Sequence, residues 1–158
     1  MKLENRKVII TGAAQGMGGV ITRKLADEGA DLFLTARTRD PIEELAKELQ
    51  AKGVKAAFQE GDCTIEKDVE AVVAAALKFF GGRIDVLVNA AGATGPIETP
   101  VWEIGADDFT DLLRKNIIGP FLPMKHVMPT MVAQRYGKIV NIGGGSGLRG
   151  YRYRAAYS

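Results

Sequence analysis

Thr11-Gly12-Ala13-Ala14-Gln15-Gly16-Met17-Gly18 is the stretch on which the reading of this 158-residue sequence turns. It follows a short apolar run, Val8-Ile9-Ile10, and opens a segment in which Val20, Ile21 and Leu25 recur at helical spacing until Gly29 stops them. A buried strand that passes through a glycine-rich turn into a helix is the context a pyrophosphate cradle needs. Glycine lets the backbone turn sharply after the strand, approach a phosphate closely and pack the helix against the sheet. The helix then turns its unpaired N–H groups and the positive end of its dipole toward the anion. On this reading Gly12, Gln15, Gly16, Met17 and Gly18 are candidate contacts to a dinucleotide.

Outward from that turn, apolar runs keep alternating with amphipathic segments. Leu32-Phe33-Leu34 reads as a second strand, and Pro41 suits the first turn of a helix whose inner face carries Ile42, Leu45 and Leu49. Val54 to Phe58 is expected as a third, weaker strand. Val69, Val72, Val73, Ala76 and Leu77 mark the next helix, and Ile84 to Val88 the fourth strand. A long helical stretch begins near Ala106, and Ile139-Val140-Asn141-Ile142 is expected as a fifth strand. Nearly all-apolar strands separated by helices predict an α/β fold with a doubly wound parallel sheet of Rossmann type. Residues 1–158 are expected to form one dinucleotide-binding domain, incomplete on its C-terminal side. Periodicity alone fits an α/β sheet without a nucleotide site equally well; the glycine stretch separates the two.

Composition bounds the remaining possibilities. Hydrophobic residues make up 46% and charged residues 25%, ordinary values for a globular domain. A formal net charge of +2 is too small to suggest nucleic acid or an acidic membrane surface as partner. The single cysteine, Cys63, allows no internal disulfide and suits a reducing compartment. The first residues lack the apolar core of a secretory signal, and no apolar run approaches the ~20 residues that span a bilayer. The expectation is a cytoplasmic protein without membrane or nucleic-acid partners. No His, Cys or carboxylate cluster has metal-ligand spacing along the chain, and His126 stands alone, so no metal is expected.

With Thr11-Gly12-x-x-x-Gly16-x-Gly18 in place, the sequence resembles the short-chain dehydrogenase/reductase family, and four further motifs follow in the family's order. Gly61-Asp62-Cys63 is similar to the acidic turn after the third strand, where the resemblance implies that Asp62 meets the adenine. Asn89-Ala90-Ala91-Gly92 looks like the family's motif after the fourth strand. Asn116, within Lys115-Asn116-Ile117-Ile118-Gly119, matches the helix asparagine of the catalytic group, and Tyr157 matches the tyrosine of Y-x-x-x-K. The resemblance covers essentially the whole chain. It implies hydride transfer between a nicotinamide cofactor and a carbonyl or secondary alcohol of a small molecule. Cofactor contacts are implied at Gly12, Gln15, Gly16, Met17, Gly18, Arg37, Asp62, Cys63, Asn89, Ala90 and Gly92.

Cofactor choice is read at the end of the second strand. An acidic residue there would bond both ribose hydroxyls and repel a 2′-phosphate. This sequence has Ala36, followed by Arg37, whose guanidinium suits two parallel bonds to a phosphate. NADP(H) is therefore expected over NAD(H). The competing reading takes Arg37 and Arg39 as solvated loop charges, and Gln15 is not the basic residue many NADP-preferring relatives carry.

For catalysis, a free tyrosine with pKa about 10 needs a nearby cation to act as acid and base at neutral pH. In the family that cation is a lysine four residues later, a position past Ser158, so residues 1–158 alone are expected to be inactive. Asn116 also carries an argument of its own. Pro120 has no N–H, so the carbonyl of Asn116 loses its helical partner and needs another donor, such as water; the alternative is a simple kink at Gly119-Pro120. The family's serine lies thirteen residues before its tyrosine, where this sequence has Gly144. Ser146 is either its replacement or an ordinary loop hydroxyl. Tyr151, Arg152, Tyr153 and Arg154 are expected along one wall of the substrate site. Three function readings follow: an oxidoreductase using Tyr157, Asn116 and Ser146; a cofactor-binding protein or fragment without catalysis; and a sugar-nucleotide epimerase or dehydratase, against which the glycine spacing argues. The full-length protein is expected to be a homo-oligomer, a dimer or tetramer.

Overall fold

A computed structural model describes residues 1–158, and its elements alternate as the sequence suggests. Strands β1 (Lys7–Thr11), β2 (Asp31–Ala36), β3 (Ala56–Glu60), β4 (Val86–Asn89) and β5 (Lys138–Asn141) are separated by helices α1 (Gly16–Asp27), α2 (Arg39–Ala51), α3 (Glu66–Phe80), α4 (Ala106–Leu113) and α5 (Gly119–Ala133). All strand pairs are parallel and the sheet order is β3-β2-β1-β4-β5. The order reverses between β1 and β4, and the crevice at their C-terminal ends is where α/β sheets take their ligands.

Alternation along each strand supplies two cores, one per face. Val8, Ile10, Leu32 and Leu34 pack against Ile42, Leu45 and Leu49 of α2. Ile9, Phe33 and Leu87 point the other way, onto Val72 and Val73 of α3 and Val127 and Met131 of α5. Both faces of the central strands are thus covered, which is why those strands read as continuous apolar runs.

The third strand lies two residues later than expected. The Val54 N–H closes the end of α2 by bonding the Leu49 carbonyl at 3.0 Å, so the chain becomes extended only from Ala56. Gln59 and Glu60 are polar but pair with Thr35 and Ala36, because β3 is an edge strand with room for solvent-facing side chains. β4 likewise begins at Val86 rather than Ile84. β5 forms the opposite edge, and its Val140 is 45% exposed.

The long helical stretch is interrupted. Between α4 and α5, Arg114–Ile118 form a π-helical turn, closed by the Gly119 N–H on the Arg114 carbonyl. Wide turns of this kind occur where the ordinary ladder is broken, and Pro120, which cannot donate, lies just after it. No helix is long and apolar enough to cross a membrane.

Candidate active site

The site is built on a row of side chains at the C-terminal ends of the strands: Thr35, Thr11, Asn89 and Asn141 stand in register across β2, β1, β4 and β5. Thr11 is buried, and its Oγ1 accepts the N–H groups of Ala90 and Ala91, both at 3.2 Å. One hydroxyl therefore fixes the path of the chain leaving β4 against the turn leaving β1. Asn89 is buried beside it and ties three elements together. Its Nδ2 donates to the Pro120 carbonyl at 3.2 Å and to Asn141 Oδ1 at 2.8 Å, while its carbonyl accepts the Ile142 N–H at 3.0 Å.

The turn Gly12–Gly18 closes over this row. Gly12 has φ +63°, and a Cβ there would lie 2.8 Å from the Ala91 backbone. Only glycine allows both the left-handed conformation and that approach. A Cβ on Gly18 would overlap the Gly12 carbonyl oxygen. The helix consequently starts in contact with the turn that precedes it. Thr22 reinforces this contact, its one hydroxyl proton shared between the Gly18 and Ala13 carbonyls at 2.8 and 3.0 Å.

Around the turn lies a cleft of about 230 Å³ that runs across the ends of β1 to β4. Gly12, Ala14 and Gln15 form its floor; Ala36, Arg37, Thr38 and Pro41 one end; Gly61 to Thr64 a flank; and Ala90 to Gly92 with Lys115 the far side. Of the residues expected to contact a cofactor, Gly12, Gln15, Arg37, Asp62, Cys63, Ala90 and Gly92 line the cleft. Gly16 and Gly18 shape the turn beneath it, Met17 is 61% exposed outside it, and Asn89 is committed to the ties described above. Thr11, Thr38, Thr64 and Lys115 were not singled out by sequence reading. Nothing in local spacing marks Lys115, whereas Thr11 is the first letter of the glycine motif.

Arg37 reaches the cleft without an ion pair. Arg39, two residues on, is instead held by Glu43 at 3.0 Å and stacked over Phe58 at 5.4 Å. Asp62 Oδ1 accepts the Thr64 N–H at 2.8 Å, and its own N–H donates to Asp68 at 3.0 Å, which shapes the turn after β3. Burial, assisted by the neighbouring Asp62 charge, pushes the Cys63 thiol up to about 11. It is therefore protonated and unreactive near neutral pH.

Asn116 lies inside the π-helical turn. Its Oδ1 accepts the Ala93 N–H at 2.9 Å and its Nδ2 donates to the Ala93 carbonyl at 2.8 Å, so the side chain clamps the loop after β4. A Cβ on Gly92 would lie 3.1 Å from that amide oxygen. The second cavity, about 550 Å³ and open, is lined by Gly145, Ser146, Tyr151, Arg152, Arg154 and Tyr157. The structure thus places Ser146 and Tyr157 on one wall. Gly144 faces the tyrosine: a Cβ there would overlap the Tyr157 hydroxyl and lie 2.8 Å from ring carbon Cζ.

Away from both cavities, α3 and α5 bring Glu66, Glu70 and His126 within 4.8 Å of one another, a grouping invisible in the sequence. Lys125 and His126 share Glu66 Oε1 at 2.5 and 3.1 Å. Lys125 above all, then His126, hold the Glu66 carboxyl below its ordinary value.

Comparison with known proteins gives this arrangement a place. Residues 6–158 match the family model described as short chain dehydrogenase. The chain is 35% identical over 156 residues to an uncharacterized oxidoreductase of Bacillus subtilis (strain 168), covering 99% of this chain and 60% of the relative. Its fold superposes on NAD+-bound xylitol dehydrogenase with a TM-score of 0.94 and 34% identity, covering 99% of this chain and 60% of that one. A variant of actinorhodin polyketide ketoreductase with NADPH gives 0.90 and 33%, with coverage of 99% and 60%. The chain thus spans about 60% of the length of the relatives it matches. On the family model and these likenesses together, the chain belongs to the short-chain dehydrogenase family.

Proposed function

We propose that residues 1–158 are the nucleotide-binding part of an oxidoreductase that moves hydride between NADP(H) and the carbonyl or secondary alcohol of a small molecule. The observation that carries the reading is the cleft over four strand ends, with Arg37 unpaired inside it and Ala36, rather than a carboxylate, ending β2. The residues fit such a cofactor. Gly12, Ala14 and Gln15 line the cleft beside the start of α1, where N–H groups can meet a pyrophosphate, Arg37 offers a fork to a 2′-phosphate, and Asp62 on the flank suits contact with an adenine. Similar proteins with NAD+ and with NADPH lie on the same fold, so the preference rests on Ala36 and Arg37.

Bound there, the nicotinamide supplies hydride to a carbonyl carbon or takes it from an alcohol. Tyr157 gives or takes the proton at the oxygen, and Ser146, buried on the same wall, orients that oxygen by donating a hydrogen bond. Asn116 acts through structure: its amide fixes Ala93, and its backbone carbonyl is left to hold the water through which protons return to solvent. The protein works in the cytoplasm as a homo-oligomer; exposed Phe109, Ile117, Phe121 and Val132 along α4, the π turn and α5 support the assembly.

The test is NADPH consumption by the full-length protein against a panel of ketones, with the corresponding alcohols for the reverse direction. Turnover is expected, and Tyr157→Phe should lower it by about 10²–10⁴-fold while leaving NADPH affinity intact. A protein that binds NADPH but turns over no ketone or alcohol, with or without Tyr157, is a binding protein and overturns the reading.

A further inference from the structure

We infer that the cavity beside Tyr157 takes a carbonyl substrate bearing an anionic group, a carboxylate or a phosphate, held by Arg152 and Arg154. The inference deepens the proposed function and rests on it. Residues 143–158 carry three arginines, Arg149, Arg152 and Arg154, and no acidic residue. Two of them, Arg152 and Arg154, line the cavity with Ser146, Tyr151 and Tyr157. Neither has a carboxylate partner. Arg6, Arg23, Arg39 and Arg83 do face carboxylates, whereas Arg37 in the nucleotide cleft is, like these two, without one.

Arg152 is oriented without being neutralised. Its Nη2 donates to the Tyr153 hydroxyl at 2.7 Å, and its guanidinium stacks over that ring at 4.6 Å. Arg154 is anchored through its backbone, its carbonyl accepting the Ser158 N–H at 3.0 Å, and its half-buried side chain is left free. Arg152, exposed, and Arg154, half-buried, line the same open cavity, and a substrate that enters it displaces part of their hydration. A neutral ketone would leave that cost standing, whereas an anion cancels it through charge-assisted, bidentate bonds. The remaining lining is Gly145, Ser146 and the rings and hydroxyls of Tyr151 and Tyr157, so the charged end of a substrate has the two arginines as its only cationic partners there. Arg149 is exposed and outside the lining, which makes it a natural control.

The experiment compares oxo-carboxylates with their methyl esters, and oxo-phosphonates with their dialkyl esters, in the full-length protein. The kcat/KM of each anion is expected to exceed that of its ester by about tenfold to a hundredfold, the range for a hydrogen bond to a charged group. Whether carboxylate or phosphonate leads identifies the natural anion. Arg152→Met with Arg154→Met should remove the preference by lowering the rates with the anions, Arg154→Lys should restore part of it, and Arg149→Ala should leave it whole. NADPH affinity, which depends on the other cleft, reports that the variants are folded. Binding of the same probes in the presence of NADP+, where no reduction can occur, separates the two readings. If anions bind better than esters there but no ketone is reduced, the anion site stands and hydride transfer falls. Esters that match anions in both binding and turnover, or a preference that survives the double substitution, overturn the anion site.

Discussion

Where β1 meets β4, the backbone is tied from several directions: two N–H groups on Thr11, an Asn89 amide bridging to Asn141 and Pro120, and an Asn116 amide clamping Ala93. Residues 143–158 are held in another way. One hydrogen bond, from the Thr99 N–H to the Tyr153 carbonyl at 3.3 Å, links them to the rest of the chain; their others close local turns. The first region is locked by buried side chains that bond the backbone across elements, and the second rests on local backbone turns that leave its side chains facing the cavity. Substitutions in the first should therefore act on stability and cofactor affinity, and substitutions in the second on selectivity and rate.

The sharpest way to break this distinction is a methyl group placed in each region. Gly18→Ala puts a Cβ onto the Gly12 carbonyl, with no flexible side chain to yield. A loss of about 3 kcal/mol is expected in chemical denaturation, together with loss of cofactor binding. Gly145→Ala meets nothing within 4 Å and should leave stability within about 0.5 kcal/mol of the parent. Equal losses would erase the difference.

At the far end of the sheet, Asp85 ties the start of β4 to that of β1. Its Oδ2 accepts the Lys7 N–H at 3.0 Å and its other oxygen meets Arg83 at 2.6 Å. Burial raises its carboxyl, but Arg83, the Lys7 N–H and Arg6 outweigh that and hold it below its ordinary 3.8. Asp85→Ala should cost about 2–3 kcal/mol at neutral pH. Because the folded-state value is depressed, this stabilisation is present above pH 3.8 and is lost as pH falls through the folded value. Melts of parent and variant should therefore converge in acid; a gap that persists unchanged would show that charge is not its source.

Arg37→Ala should weaken NADPH binding by about 1.5–3 kcal/mol and leave NADH binding nearly as it was. Equal titrations for the two cofactors would remove the argument from Ala36 and Arg37. The smallest expected effect lies in the looser region. Ser146→Ala should lower kcat/KM by about tenfold, one modest hydrogen bond. Gly144→Ser should not raise turnover, because its Cβ would displace Tyr157. Faster turnover in that variant would return the orienting role to position 144.

The same division explains how much could be read beforehand. Gly12, Gly16 and Gly18 announce themselves because their spacing serves a local strand–turn–helix unit, and the apolar runs of β1, β2 and β4 announce a sheet covered on both faces. β3 was displaced because Gln59 and Glu60 are polar yet paired, which an edge strand permits and an apolar pattern hides. The double bond of Asn116 to Ala93 was hidden as well, since its partner lies 23 residues away. Pro120 marked a broken ladder but not its form. Ser146 and Gly144 stayed ambiguous for a related reason: distance to Tyr157 along the chain does not fix distance in space when glycines lie between.

That broken ladder has one more consequence. A π turn holds one residue more than an α turn, so it acts as a phase slip of about 100° in the helical screw. Upstream of the slip, Leu112 faces the interior; at it, Asn116 points to Ala93; downstream, Leu122, Val127 and Met131 return to the sheet core. One continuous rod thereby serves two separate addresses, a polar one at the cleft and an apolar one beneath the sheet.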